Sequence, residues 1–293
     1  MVNKTRCILV SIKLGILLIF LHTTALAQQK VTVVRNYSGK IGKYPIALQL
    51  EFINGTDSVF GSYYYLKSGR DALLFLAGKR DQTGMRLHEQ DYSQRNAANK
   101  PIVTGVFELQ GKTQLKGIWT NRKTGKGMVI ELLSRQAGKD IHPKDYRFKF
   151  GSYRTKVLNA GGWDGNYTKI RSLEIYKGQK LDQRLSGFDE CVGKGGPELV
   201  MEDLNFDGIL DIKVPTYFPE RTKYDGAFLY FLYNPAKQKF EMNQQMVDME
   251  YLFFDPLHAE VYKYGEAAEG FVRQVFKWNA GKLVELRTEL EKE

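Results

Sequence analysis

The stretch Ile46-Ala47-Leu48-Gln49-Leu50-Glu51-Phe52-Ile53-Asn54-Gly55-Thr56-Asp57-Ser58-Val59-Phe60-Gly61-Ser62-Tyr63-Tyr64-Tyr65-Leu66 reads as two β-strands around an Asn-Gly turn. Apolar side chains recur at every second position through Ile46, Leu48, Leu50 and Phe52, the period of a half-buried strand. Asn-Gly accepts the left-handed backbone that a tight reversal demands. The same unit recurs outward from here. Between Val31 and Leu133 the runs VTVVRNY, IALQLEF, SVFGSYYYL, ALLFLA, MRLHE, IVTGVFEL, LKGIWT and MVIELL alternate with turn residues at Lys67-Ser68-Gly69, Gln82-Thr83-Gly84, Gln110-Gly111-Lys112 and Lys123-Thr124-Gly125. Eight short strands with short connections predict an antiparallel meander, closed as a barrel or folded as a sandwich.

Residues 134–145 (SRQAGKDIHPKD) lose the alternation and read as a linker. From Tyr146 the chain is again strand-rich and markedly aromatic, with runs such as ELVME, LDIKVP, AFLYFLYN, AEVYKY and FVRQVFKW. One or two helical turns fit between Asn243 and Phe253; elsewhere no 3.6-residue period is sustained. The fold expected is all-β in two domains, residues 28–133 and 146–293.

At the N-terminus, Lys4, Arg6 and Lys13 flank the apolar run Leu14–Leu21, and Ala25-Leu26-Ala27 follows. This is the pattern of a secretory signal peptide over residues 1–27, its apolar core far shorter than the roughly 20 residues a spanning helix needs. No later segment is apolar enough to span a membrane. The expectation is a soluble chain in the periplasm or secreted, and export argues against a nucleic-acid partner. Residues 1–27 carry three positive charges and no negative one, so their removal leaves +7 of the formal +10. That surplus is spread along the chain and reads as a solvated surface with some preference for acidic partners. Of the two cysteines, Cys7 lies in the signal peptide, which leaves Cys191 without an intramolecular disulfide partner, to be read as a buried small hydrophobe or as an exposed thiol able to pair with another chain.

Chemistry-bearing fragments are sparse. Gly111-Lys112-Thr113 lacks the glycine that a phosphate-binding loop needs at position 106, which is Val106, and reads as a hairpin turn. His88, His142 and His258 have no metal-ligand spacing. His88-Glu89 with Asp91 reads as a solvated strand end. In the alternative reading, Glu89, Asp91, Asp189 or Glu190 would serve an envelope carbohydrate-active hydrolase, which needs a pair of carboxylates at a defined separation.

One segment is different. Met201-Glu202-Asp203-Leu204-Asn205-Phe206-Asp207-Gly208-Ile209-Leu210-Asp211-Ile212 interrupts a strand-forming region with D-x-N-x-D-G-x-x-D. Alternate residues of a tight loop aim their oxygens at one centre, and a calcium ion takes six to eight oxygens at about 2.3–2.6 Å. The spacing assigns Asp203, Asn205 and Asp207 as side-chain ligands, Ile209 through its carbonyl, and Asp211 as the closing carboxylate, with Gly208 permitting the reversal. A helix-loop-helix site would place glutamate at Val214; its absence, and strand-like flanks on both sides, indicate a calcium loop between two strands, as in β-propeller blades. Three carboxylates without a twelfth ligand set the expected Kd at roughly 10⁻⁶ to 10⁻³ M. An acidic hairpin turn without metal is the competing reading.

The E-D-x-N-F-D-G-x-x-D loop of residues 202–211, the aromatic strand Phe231-Leu232-Tyr233-Asn234-Pro235, the pair Lys239-Phe240, and Val275-Phe276-Lys277-Trp278-Asn279 ahead of Gly281 are similar to a family of calcium-binding periplasmic immunity proteins, typified by one from Xanthomonas type IV secretion. The resemblance covers residues 146–290 and leaves the N-terminal domain without a counterpart. It implies a propeller-like domain with calcium on Asp203, Asn205, Asp207, Ile209 and Asp211, and inhibition of a lysozyme-like cell-wall hydrolase. The function expected is therefore an exported, non-enzymatic calcium-binding module for a protein or glycan partner.

Overall fold

The structure is a computed structural model that describes residues 29–70, 72–136, 145–158, 164–193, 195–218, 226–267 and 270–290. The signal-peptide segment, residues 137–144 of the linker and His142 lie outside these. All the alternating runs named above form strands.

The first eight are β1 (Val31–Ile41), β2 (Tyr44–Ile53), β3 (Ser58–Tyr65), β4 (Leu74–Arg80), β5 (Met85–Arg95), β6 (Pro101–Gln110), β7 (Gln114–Asn121) and β8 (Gly127–Ser134). Each pairs antiparallel with the next, and β8 returns to β1 through Ile130–Ser134 against Tyr37–Ile41. The meander therefore closes as a barrel. Its interior is filled by Ile41, Ile46, Leu50, Val59, Leu87, Phe107, Leu109, Leu115 and Ile130. Each such side chain contributes about 1.5–3 kcal/mol by leaving water. At the β2–β3 connection Gly55 has φ +72°, the left-handed backbone expected of Asn-Gly. Asn54 has a second role: its side chain accepts from the Val31 amide and donates to the Gln29 carbonyl, which anchors the start of β1.

The barrel contains one polar surprise. Glu89 is buried (6 % exposed), not at a solvated strand end. Its carboxylate accepts hydrogen bonds from Tyr63 Oη (2.5 Å), Thr104 Oγ1 (2.5 Å) and Trp119 Nε1 (3.0 Å), donors supplied by β3, β6 and β7. The charge is held by three neutral donors, and among the described residues no cation pairs with it. Tyr63 is correspondingly hard to ionise, first because it is buried and then because Glu89 is beside it.

The second half forms three further antiparallel sets in chain order. β9 (Tyr146–Leu158), β10 (Asp164–Lys177) and β11 (Lys180–Val192) make one sheet. β12 (Leu199–Glu202), β13 (Asp211–Tyr217), β14 (Gly226–Asn234) and β15 (Lys239–Met242) make the next, and β16 (Phe253–Asp255), β17 (Glu260–Ala267), β18 (Gly270–Asn279) and β19 (Lys282–Leu290) the last. The one short helix here, α1 (Gln244–Asp248), is capped by the Asn243 side chain on the Met246 amide. Cys191 is buried. Among the described residues no helix is long and apolar enough to cross a membrane.

The two halves share a sheet. Val31, Thr32 and Val33 of β1 pair in parallel with Leu199, Val200 and Met201 of β12, so β12–β15 extend the barrel's sheet to twelve strands. Lys30 to Glu198 (2.7 Å) ties the same seam, and Arg70, after β3, makes a second link between the halves, to the Phe254 carbonyl of β16 (2.7 Å), with its guanidinium 5.1 Å over the Tyr262 ring. Two cores lie beyond it. One, with Phe148, Ile170, Leu173, Ile212, Val214 and Phe231, joins β9–β11 to β12–β15. The other, with Tyr230, Met246, Leu252, Phe254, Val261 and Leu283, joins β14 and α1 to β16–β19.

Replacing Glu89 by Ala leaves buried donors without an acceptor, each worth about 1–3 kcal/mol. Glu89→Ala is expected to lower the unfolding free energy by at least about 3 kcal/mol in urea titrations, while Thr104→Val, which removes one half-exposed donor, loses about 1 kcal/mol.

Candidate metal centre

β12 and β13 form a hairpin whose last ladder pair is Glu202 with Asp211, so residues 203–210 are the connecting loop. Strand flanks, and not helices, bracket the acidic residues. Two leucines pin the loop in opposite directions. Leu204 is fully buried in the core of β16–β19, and Leu210 is buried in the core shared by β9–β11 and β12–β15. Trp278 of β18 fixes the entry by donating its indole N–H to the Leu204 carbonyl (3.1 Å).

Between those anchors the backbone reverses twice, with φ +61° at Phe206 and +87° at Gly208. Glycine takes this conformation freely; at Phe206 it costs on the order of 1 kcal/mol, which the surrounding hydrogen bonds offset. Asn205 Oδ1 accepts from the Asp207 amide (3.1 Å), Asp207 Oδ1 from the Ile209 amide (2.8 Å), and Asp203 Oδ2 from the Gly208 amide (3.0 Å). Asn205 Nδ2 donates to Asp207 Oδ2 (3.2 Å). Asp211 spans the whole loop: its Oδ2 accepts from Leu204 N (2.9 Å) and its Oδ1 from Tyr233 N on β14 (2.8 Å).

The electrostatics of this loop are unfavourable as they stand. Asp211 is wholly buried and Asp203 is 6 % exposed. Burial, reinforced by the Asp207 charge, pushes the Asp203 carboxyl up to about 7. Burial drives Asp211 well above the carboxylate range despite the two amides that it accepts. Among the described residues neither has a cationic partner; Lys213, two positions along β13, is committed to Glu202 at 2.5 Å. Most telling, Asp203 Oδ1 is buried with no donor in hydrogen-bonding geometry, although the Asp207 and Phe206 amides lie near enough to favour the charged carboxyl a little. A buried acceptor without a donor is a rare and costly feature.

Among the described residues no three His, Cys, Asp or Glu side chains are gathered into a finished metal cage. The carboxylates serve the loop's own amides, the Asn205 side chain and, through Asp211, the Tyr233 amide of β14. The donor set nevertheless fits a hard divalent cation: three carboxylates and an asparagine oxygen in one nine-residue span, with an orphaned buried oxygen among them. Asp203, Asn205, Asp207 and Asp211 are all in the hairpin loop or at its closing pair; Ile209 lies between Gly208 and the buried Leu210.

The alternative acid–base residues do not converge. Glu89 lies inside the barrel with three donors on its carboxylate, and Asp91 is half-buried and accepts from Ser93. Asp189, on β11, is exposed and holds Lys169 (2.9 Å) and Tyr153 Oη (2.7 Å); the Lys169 hydrogen bond, then that of Tyr153, keeps its carboxyl low. Glu190 is its neighbour on the same strand. His258 hydrogen-bonds Asp255 (2.8 Å) in a loop after β16.

A feature that the sequence pattern did not assign starts at Phe228, which packs on the core that holds Leu204. The rings of Phe228, Tyr251, Phe253, Tyr262 and Tyr264 run in contact, with successive centroids 5.0–5.7 Å apart. Arg70 and Arg273 place guanidinium groups 5.1 and 5.8 Å over Tyr262, and Tyr251 and Tyr264 are exposed. The abundance of aromatics after residue 146 was the only signal, because the rings come from three strands and a turn. Against known protein families, curated proteins and solved structures, the chain shows no match.

Proposed function

We propose that the chain is an exported, non-enzymatic calcium-binding protein whose second half is a propeller-like binding module. The observation that carries this reading is the buried, unpartnered Asp203 Oδ1 within a D-x-N-x-D-G-x-x-D hairpin. Asp203, Asn205, Asp207, Asp211 and the Ile209 carbonyl would hold the ion. Its two charges would neutralise carboxylates that burial penalises, and its role is structural: Leu204 and Leu210 carry the loop's order into two separate cores. The three consecutive antiparallel sets of three or four strands after residue 145, two of them separate sheets and the middle one an extension of the barrel's sheet, support the blade-like arrangement.

The aromatic ribbon with Arg70 and Arg273 is the surface that such a module would offer a protein or glycan partner. Exposed tyrosines bring large contact area with few rotatable bonds, and the arginines add fixed donors. The resemblance of residues 146–290 supports the narrower reading, inhibition of a lysozyme-like cell-wall hydrolase outside the cytoplasm.

With a Kd near 10⁻⁴ M, 10 mM calcium is about 100-fold above Kd and stabilises by about 2.7 kcal/mol, a rise in Tm of about 5–10 °C. Asp203→Asn separates the ion's effect from the loop's. The variant loses a penalised buried charge, so its metal-free Tm is expected to equal or exceed that of the parent at pH 7.5, while most of the calcium-induced rise disappears. An unchanged parent Tm at 10 mM calcium contradicts the site. The inhibitor reading has its own test: turbidity assays on peptidoglycan with a panel of lysozyme-type hydrolases, with calcium and with chelator. Calcium-dependent protection against at least one enzyme is expected, and Tyr251→Ala with Tyr264→Ala is expected to weaken it; no protection across the panel contradicts inhibition while leaving calcium binding to the melting experiment.

A further inference from the structure

β19 is an edge strand: it pairs with β18 on one side, and its sheet ends there. Among the described residues its outer edge meets only the Gln245 side chain, which donates to the Leu283 carbonyl (2.7 Å) and accepts from the Leu283 amide (2.9 Å). Gln183 caps the edge of β15 in the same way, at Phe240, but β15 is only four residues long. On β19 the cap stops at the strand's second residue. From Glu285 to Leu290 the edge is open, and Leu286 and Leu290 are 52 % and 45 % exposed. An open edge with exposed leucines is a template for another strand.

The open segment reads Leu286-Arg287-Thr288-Glu289-Leu290. The ladder to β18 is regular from Arg287 to Leu290 and has a β-bulge at Leu286. Laid antiparallel against itself about Thr288, the segment sets Arg287 opposite Glu289 of the second copy and Thr288 opposite Thr288, with the bulged Leu286 brought towards Leu290 at each end. Each of these pairings is one that stabilises antiparallel sheets: apolar with apolar, opposite charges, threonine with threonine. Moving the axis to Arg287 or to Glu289 sets like charges face to face. The two charged residues already belong to an exposed chain of ion pairs, Arg273–Glu289 (2.5 Å), Arg287–Glu289 (2.5 Å) and Arg287–Glu260 (3.0 Å), which a second copy would extend. Of the two edges of the β9–β11 sheet, β11 packs into the core with β12–β15, and β9 is built differently. It carries Arg147, Lys149, Arg154 and Lys156 with no acid, so two copies repel.

We propose that β19 is a self-association edge, through which two copies of this chain join their β16–β19 sheets antiparallel about a two-fold axis at Thr288. A symmetric contact of this kind uses the same patch on both copies and closes on itself, so it yields a dimer and no filament. The patch is small, and the dimer is expected to be weak, with a Kd of about micromolar or above.

Sedimentation velocity on the chain purified after export, from about 1 to 200 μM, tests this. The expected result is a concentration-dependent monomer–dimer equilibrium. Arg287→Glu sets glutamates face to face at two positions and is expected to weaken association at least about fivefold; adding Glu289→Arg restores the complementary pairs and recovers it. Leu286→Lys, which leaves every ion pair in place, is expected to abolish the dimer, and circular dichroism confirms that each variant remains folded. A chain that stays monomeric throughout, or a dimer that Leu286→Lys leaves intact, overturns the proposal, as does failure of the double swap to recover what the single change lost.

Discussion

Strand β1 has two edges and three neighbours, and the architecture follows from how it divides them. One edge pairs with β2 along almost its full length; the other serves β12 over Val31–Val33 and β8 over Tyr37–Ile41. The barrel therefore closes only along the second part of β1. Over the first part the sheet opens and continues into the second half. Because β12 ends at Glu202, the strand that delivers Asp203 to its loop is itself held by the barrel. The barrel acts as a footing for the acidic hairpin, whatever else it binds.

The hairpin in turn sits where three sheets meet. Asp211 couples the loop's start to β14, Leu204 sends one side chain into the core under β16–β19, and Leu210 sends another into the core under β9–β11. Buried carboxylates are an odd choice for such a junction unless something neutralises them, since desolvation opposes the charged form and like charges add to the penalty. A divalent cation resolves that conflict at once. Without one, amides carry the burden and one oxygen is left over.

How much of this was legible depends on sequence distance. The meander was readable because every barrel strand except the closing pair bonds to its neighbour in the chain, and turn residues mark each reversal. The seam was not: Lys30 and Glu198 meet across 168 positions, and nothing local in VTVV or ELVME announces a parallel partner. The oxygen-bearing residues of the loop were readable from their alternate spacing. That Asp211 is wholly buried, or that Trp278 holds the Leu204 carbonyl, depends on packing that the spacing does not encode. The two leucines within an acidic loop were a signal that could have been used, since solvated loops seldom carry buried-type residues at both ends. Glu89 was misread for the same reason that the seam was missed: its three donors come from three other strands.

Terbium luminescence tests directly whether the hairpin takes a calcium-sized ion, because Trp278 donates its indole N–H to the Leu204 carbonyl of the loop. Terbium takes the same hard oxygen ligands and emits when energy passes to it from a nearby indole. Exciting the tryptophans while terbium is added should give sensitised emission that calcium displaces with a Kd of about 10⁻⁶ to 10⁻³ M, and that emission should largely vanish in Trp278→Phe. Absence of sensitised emission, or emission that persists unchanged in Asp203→Asn, would contradict the claim.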